Sequence, residues 1–102
     1  MTKTEKDKIK QDIVESLSSN NEVERIIIFG SFIKKDEPDD IDIAVFSPSP
    51  KDYLSLAMEY RRRLRGISRK LSLDVVPVKM PCEESSFLNE IKNGELVYEK
   101  RD

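Results

Sequence analysis

The order of hydrophobic and polar positions divides the chain into segments with helical and strand-like periods. Between residues 4 and 19, aliphatic side chains recur every three or four positions, which predicts an amphipathic helix that ends before Asn20-Asn21. These aliphatic residues are Ile9, Ile13, Val14 and Leu17. A β-branched and aromatic run predicts a buried strand over about 23–29, and a period of two predicts a second strand over about 41–46.

A second helix is predicted from Pro50 to about Arg65. Ser49 is a suitable N-cap, Pro50 suits the first helical position, and Gly66 follows the end of the helix. The expected apolar face consists of Tyr53, Ala57, Tyr60 and Leu64. At this spacing the two tyrosines are expected in the core, rather than on a platform for stacking bases.

Residues 71–78 predict a third strand, with Leu71, Leu73 and Val75 on one face and Asp74, Val76 and Val78 on the other. Pro77 cannot donate a hydrogen bond to a neighbour, so this strand is expected at a sheet edge. A short helix over 84–93, ended by Gly94, and a last strand over 96–98 complete the pattern. We therefore expect one α/β (α+β) domain over residues 1–102, a mixed, twisted sheet of about four strands with helices mainly on one face.

Three acidic residues stand on these predicted strands. Asp40 and Asp42 are two positions apart, so both point to the same face, and Asp74 interrupts an apolar strand. If the second and third strands are neighbours, the three carboxylates converge. Converging carboxylates bind oxygen-seeking cations, Mg²⁺ above all, and two such ions would activate a hydroxyl and stabilise a leaving pyrophosphate.

The dipeptide Gly30-Ser31 ends the first strand just before this acidic region. Glycine permits a positive φ and a close approach of the backbone to a ligand, and serine adds a hydroxyl donor. Backbone N–H groups in such a turn are suited to a triphosphate.

Composition narrows the chemistry further. The chain contains no histidine, which removes the commonest general base, and the single Cys82 excludes an internal disulfide and suits a reducing compartment. A net charge of −2 excludes a global basic field, so nucleic acid is a possible but not a favoured partner. No apolar run approaches the ~20 residues of a membrane span, so we expect a cytoplasmic protein without a membrane partner.

The residues Gly30-Ser31, Asp40-Ile41-Asp42 and Asp74 together resemble the active-site signature of the DNA polymerase β-like nucleotidyltransferase superfamily. The similarity is greatest to its minimal nucleotidyltransferase (MNT) family and covers most of the chain. The resemblance implies a small polymerase β-like fold and Mg²⁺-dependent transfer of a nucleoside monophosphate, with ATP as the expected donor. MNT proteins commonly act with a helical HEPN-type partner, as antitoxins that add AMP to a hydroxyl of the toxin.

The resemblance also implies a role for each matching residue. Asp40 and Asp42 would ligate both of two Mg²⁺ ions, and Asp74 would ligate the ion that activates the acceptor hydroxyl. Gly30 and Ser31 would hold the β- and γ-phosphates of the nucleoside triphosphate.

The loop after Ser31 departs from the family pattern. It holds eight residues before Asp40, fewer than is usual, and Lys35 stands where many members have glycine. Lys34 lies where the family usually has a basic residue that touches phosphate, which implies a nucleotide-binding role. At the level of sequence, both lysines could equally be solvated loop residues.

Other interpretations stay open at this level. Asp74 could form a structural ion pair with Arg62 or Arg65, and the basic residues between positions 61 and 70 could be a solvated helix end or a surface for an acidic partner or RNA. The chain could also be a non-catalytic antitoxin or binding module with the same fold, or a nucleotidyltransferase that acts on RNA or a small molecule.

Overall fold

The computed structural model describes residues 1–67, 71–80, 91 and 93–101. Its elements are α1 (Lys3–Ser18), β1 (Arg25–Phe29), α2 (Ser31–Lys34), β2 (Asp40–Ser47), α3 (Tyr53–Leu64), β3 (Ser72–Lys79) and β4 (Glu95–Glu99). Residue 91 is helical, but most of the helix predicted over 84–93 lies outside the described residues. Within the described ranges, none of the helices has the length and apolar character needed to cross a membrane.

The four strands form one mixed sheet in the order β3-β2-β1-β4. β1 is antiparallel to both of its neighbours, whereas β2 and β3 are parallel. The predicted mixed sheet of about four strands is therefore confirmed. β3 lies at an edge, as Pro77 predicted, because the strand needs no hydrogen-bond donor on its outer side.

The main hydrophobic core lies between one face of the sheet and helices α1 and α3. Its fully or almost fully buried members include Ile13, Leu17, Ile26, Ile28, Ile41, Ile43, Val45, Leu56, Tyr60 and Leu64. The prediction that helices pack mainly on one face is thus confirmed for the described residues. A smaller cluster of Phe29, Ala44, Phe46 and Ile91 occupies the other face.

The start of α3 differs from the prediction. Its N-cap is Asp52, whose side chain accepts a hydrogen bond from the backbone N–H of Ser55 at 2.8 Å. Ser49 is buried and its hydroxyl instead accepts from the N–H of Lys51, so it belongs to the turn before the helix. Ala57, Tyr60 and Leu64 are buried as predicted, but Tyr53, which was expected in the core, is 57% exposed, and Leu56 is buried instead.

Candidate active site

The strand register brings the two halves of the acidic motif together. Asp42 of β2 is paired with Asp74 on the neighbouring parallel strand and with Phe29 on the antiparallel strand. Asp40 lies two residues earlier on β2, where its register partner is Ser72. Because side chains alternate along a strand, Asp40, Asp42 and Asp74 share one face of the sheet, opposite the main core. The condition set by the sequence, that the two strands be neighbours, is met.

Gly30 lies directly against the carboxylate of Asp42. Its backbone has φ 77° and ψ −151°, a conformation that is essentially restricted to glycine. A Cβ atom at this position would lie 2.2 Å from Oδ2 of Asp42, far inside van der Waals contact. Glycine is required here both by backbone conformation and by the close approach of the acid.

The segment after Gly30 is a short helix, α2, rather than the loop that the sequence predicted. Gly30 caps it, and the N–H groups of Ile33 and Lys34 donate to the carbonyl of Gly30 at 3.2 and 3.3 Å. Phe32 is completely buried and fixes α2 against the sheet. Four residues are too few to show a helical period, so this tertiary contact was not visible in the pattern.

Ser31 is the first residue of α2, and its side chain connects the two strands of the motif. Its hydroxyl donates to the backbone carbonyl of Asp40 at 3.3 Å. The hydroxyl therefore holds the start of β2 beside the end of β1 in this structure.

A pocket of about 270 Å³ opens beside Gly30. It is lined by Phe29, Gly30, Lys34, Asp42 and Asn93. The structure thus brings three of the predicted site residues into one cavity and adds Asn93, whose amide can donate and accept hydrogen bonds. The sequence did not reveal Asn93, because the Asn-Gly dipeptide signalled only the end of a segment.

Lys6 supports the same region from α1. Its ammonium group donates to the carbonyls of Phe32 at 2.9 Å and Lys35 at 2.5 Å, and it lies 5.4 Å from the centre of the Phe32 ring. A lysine near a helix C-terminus satisfies carbonyls that have no partner within the helix. No local sequence signal marks Lys6, because the hydrogen bonds of its side chain are all to residues distant along the chain.

The carboxylates of Asp40, Asp42 and Asp74 suit a hard divalent cation, both by their oxygen ligands and by their positions on neighbouring strands. Three carboxylates on one face offer the oxygen ligands that Mg²⁺ prefers, and Asp42 and Asp74 occupy paired positions. Asp40 and Asp74 are exposed and Asp42 is partly buried. With the side chains as they stand, no three acidic, His or Cys residues of the described ranges are close enough together to hold one ion.

The ion pair considered for Asp74 is not formed. Within the described part of the chain, the salt bridges with N to O distances up to 4.0 Å include none between Asp74 and Arg62 or Arg65. The two arginines lie on the helical side of the sheet with the main core, whereas Asp74 points to the other face. Asp74 is therefore not held in a structural pair with either arginine.

The sequence profile of the family described as "Polymerase beta, Nucleotidyltransferase" matches residues 11–102. The match includes both halves of the acidic motif and the glycine before α2. The chain belongs to this family. No curated protein sequence matches the chain significantly.

Several solved structures have folds similar to that of this chain. A candidate nucleotidyltransferase from Sulfolobus solfataricus has a TM-score of 0.63 at 20% identity, covering 95% of this chain and 82% of that one. A complex of a tri-AMPylated Shewanella oneidensis HEPN toxin with its MNT antitoxin gives 0.60 at 22% identity, with coverages of 93% and 73%. A toxin–antitoxin structure with AMP-PNP has a TM-score of 0.60 at 22% sequence identity, covering 90% of this chain and 74% of that one. The resemblance to the polymerase β-like superfamily, and to the fold of its MNT members, is confirmed.

Proposed function

We propose that this nucleotidyltransferase transfers AMP from ATP to a hydroxyl of a partner protein in the cytoplasm, and that the partner is a HEPN-type toxin. The observation that carries the proposal is the pairing of Asp42 with Asp74 beside Gly30. Two carboxylates on adjacent strands, next to a glycine that admits a ligand, suit a metal-dependent reaction on a triphosphate.

In the proposed reaction, the acceptor oxygen bonds to the α-phosphorus of ATP and the bond from that phosphorus to the bridging oxygen breaks. Pyrophosphate leaves with that oxygen, and the hydroxyl proton passes to solvent. Asp40 and Asp42 would hold two Mg²⁺ ions and Asp74 one of them. When bound, Mg²⁺ supplies charge neutralisation on the phosphates and a lower pKa for the acceptor hydroxyl.

The remaining residues would position the triphosphate. Gly30 leaves space for it, and the exposed Lys34 contributes a positive charge to the pocket wall. Asn93, which is far from Gly30 and Lys34 in the sequence but lines the same pocket, would add a neutral hydrogen-bond donor or acceptor. We assign Ser31 to the binding of the β- and γ-phosphates. Its hydroxyl, which now donates to the carbonyl of Asp40, would donate to a phosphate oxygen instead.

A protein acceptor is favoured by the solved structures that share this fold. The similar structures include an AMPylated HEPN toxin with its antitoxin, which supports a protein hydroxyl as the acceptor.

The test is intact-mass measurement of a HEPN-type partner after incubation with the purified chain, ATP and Mg²⁺. We expect a mass increase of one AMP or a multiple of it. Asp42→Asn and Asp74→Asn should each reduce the rate by roughly 100-fold or more, because one metal ligand is lost. Asp39→Asn is the matched control, since Asp39 is an exposed neighbour whose position in the strand alternation faces away from Asp42.

Circular dichroism of each variant separates loss of the site from loss of the fold. If Asp42→Asn and Asp39→Asn retain equal activity, the acids do not hold the catalytic metals. If the inactive Asp40→Asn/Asp42→Asn variant still neutralises the toxin fully, the chain acts as a binding antitoxin and transfer is not its function.

A further inference from the structure

Helix α3 has a second ordered face that points to solvent. Leu54, Met58, Arg61 and Arg65 follow one another at spacings of four, three and four residues, so they lie along one side of the helix and its C-cap. Leu54 is 67% exposed and Met58 is 54% exposed, although both are large apolar residues. We call these four residues the α3 stripe.

A groove of about 490 Å³ separates the C-terminal half of the stripe from the edge strand β3. Leu64, Leu71 and Leu73 give the groove an apolar floor, and Met58, Arg61 and Arg65 are also among its lining residues. Neither Arg61 nor Arg65 forms an ion pair with any residue of the described ranges. The groove therefore combines apolar surface with two guanidinium groups whose charge is not neutralised within the described structure.

We propose that the α3 stripe and this groove dock an acidic, amphipathic helical segment of the acceptor protein. Apolar residues of that segment would cover Leu54, Met58 and the floor of the groove. Its carboxylates would pair with Arg61 and Arg65, since a planar guanidinium can bind a carboxylate through two parallel hydrogen bonds. The mode is that of an amphipathic helix in a groove.

The apolar half of the surface favours a protein segment over RNA. A phosphate backbone would find partners in the arginines but none in Leu54, Met58 or the leucine floor, and it would also approach the exposed Asp39 and Asp40. The backbone of Asp39 is bonded to that of Ser72 at the start of β3, so these acids lie at the same end of the sheet as the groove. An acidic peptide can keep its charges on the arginine side.

The position of the groove also suits an acceptor. Leu73 lines the groove, and the next residue, Asp74, points to the acidic face of the same edge strand. Because no further strand of the described residues lies outside β3, a protein held in the groove can reach around this edge to the acids. This part of the inference rests on the proposed function, whereas the docking itself can be measured without nucleotide.

The docking test uses fluorescence anisotropy with a labelled synthetic helix of about 18 residues, in which Leu at positions i and i+4 is flanked by Glu. Its twin carries Lys in place of each Glu, and a single-stranded RNA of about 20 nucleotides is the third probe. We expect only the acidic helix to bind, with a Kd below about 1 mM that weakens as salt increases. The Arg61→Glu/Arg65→Glu variant should weaken it about tenfold or more, and Met58→Ser severalfold.

Arg63→Glu is the matched control. It makes the same charge change on the same helix, but Arg63 lies on the opposite flank, where it donates to the hydroxyl of Ser19 at 2.7 Å. We expect less than a twofold change in Kd for this variant. Absence of binding, equal binding of the Lys twin or of RNA, or an equal effect of Arg63→Glu would each overturn the proposal. Salt-sensitive self-association that Arg61→Glu/Arg65→Glu abolishes would overturn it in favour of a second copy as the occupant.

AMP transfer to the HEPN-type protein distinguishes this inference from the proposed function. The Arg61→Glu/Arg65→Glu variant should retain ATP binding and kcat, but its KM for the protein acceptor should be about tenfold higher. An unchanged KM with active transfer would refute the docking surface alone. Peptide docking without any transfer by the native chain would refute the proposed function alone.

Discussion

Gly30→Ala tests the closest contact in the candidate site. The native backbone lies in a region that costs a non-glycine residue on the order of 1–3 kcal/mol. In addition, the new Cβ would lie 2.2 Å from Oδ2 of Asp42 and 3.2 Å from its Cγ, so the carboxylate must move. Overpacking of this kind costs roughly a further 1–3 kcal/mol. We therefore expect the free energy of unfolding to fall by about 2–6 kcal/mol.

Two further variants divide this loss into its parts. Gly66 also has a positive φ, 91°, but a Cβ there would meet no atom within 4 Å, so Gly66→Ala should cost only the backbone term of about 1–3 kcal/mol. In an Asp42→Ala background the clashing atoms are gone and the Cβ of residue 42, 3.6 Å away, is in ordinary contact. Gly30→Ala should then cost about as much as Gly66→Ala.

The measurement is urea unfolding of the four proteins in the Gly30/Asp42 cycle, together with Gly66→Ala. We expect Gly30→Ala and Asp42→Ala to be non-additive by about 1–3 kcal/mol, in the direction that the double variant is more stable than the sum predicts. Additive losses within about 0.5 kcal/mol would show that the carboxylate of Asp42 does not lie against Gly30, and the geometry of the site would be wrong.

Four other expectations follow from single contacts. Asp52→Ala should lower the melting temperature more than Asp52→Asn, because asparagine can still cap the helix. The capping hydrogen bond from the backbone N–H of Ser55 lowers the pKa of Asp52 below its usual 3.8. Thermal melts from pH 7 to pH 2 should therefore show that the stabilisation by Asp52 is present above pH 3.8 and is lost as the pH falls through the folded-state pKa. Tyr60→Phe should change the free energy of unfolding by less than about 1 kcal/mol or raise it, because the buried hydroxyl has no well-formed hydrogen bond to the described residues. Burial raises the pKa of Tyr60, so urea titrations above pH 10 should show that the native protein loses stability relative to the variant. Lys6→Met removes two hydrogen bonds to backbone carbonyls beside the pocket, so it should lower the free energy of unfolding by about 1–3 kcal/mol and weaken ATP binding measured by calorimetry. An unchanged affinity for ATP would mean that this contact does not shape the pocket. Lys34→Ala should weaken ATP binding about tenfold and Lys35→Ala much less, because only Lys34 lines the pocket, and equal effects would place neither lysine on the phosphates.

Strand periodicity carried most of the correct sequence predictions. The alternation of Asp40 and Asp42 with aliphatic residues fixed which face they occupy, and Pro77 correctly placed β3 at an edge. The sequence could state that Asp42 and Asp74 would meet only if their strands were neighbours. That adjacency depends on the tertiary arrangement, and only the structure established it.

The errors have a common physical origin in contacts that override local signals. Ser49 and Asp52 both suit an N-cap by residue type, so the local sequence does not distinguish them, and in the structure Asp52 is the cap and Leu56 lies in the core. Lys6 and Asn93 reach the site from parts of the chain far from the motif, so no local pattern could identify them. Residues that support a site from a distance are therefore the part that sequence periods do not encode.

The pocket beside Gly30 is lined by a residue that is synthesised after the acids of β2 and β3. Asn93 lines it, and at Gly94 a Cβ would lie 2.5 Å from the carbonyl oxygen of Ile28, so this late segment packs directly on β1. A ribosome would have to release residue 93 before the cavity is complete, although the acids of β2 and β3 emerge earlier. Nucleotide affinity is thus expected to rise only after residue 93 has been synthesised, and chains stalled before residue 93 should bind an ATP analogue more weakly than chains stalled after β4.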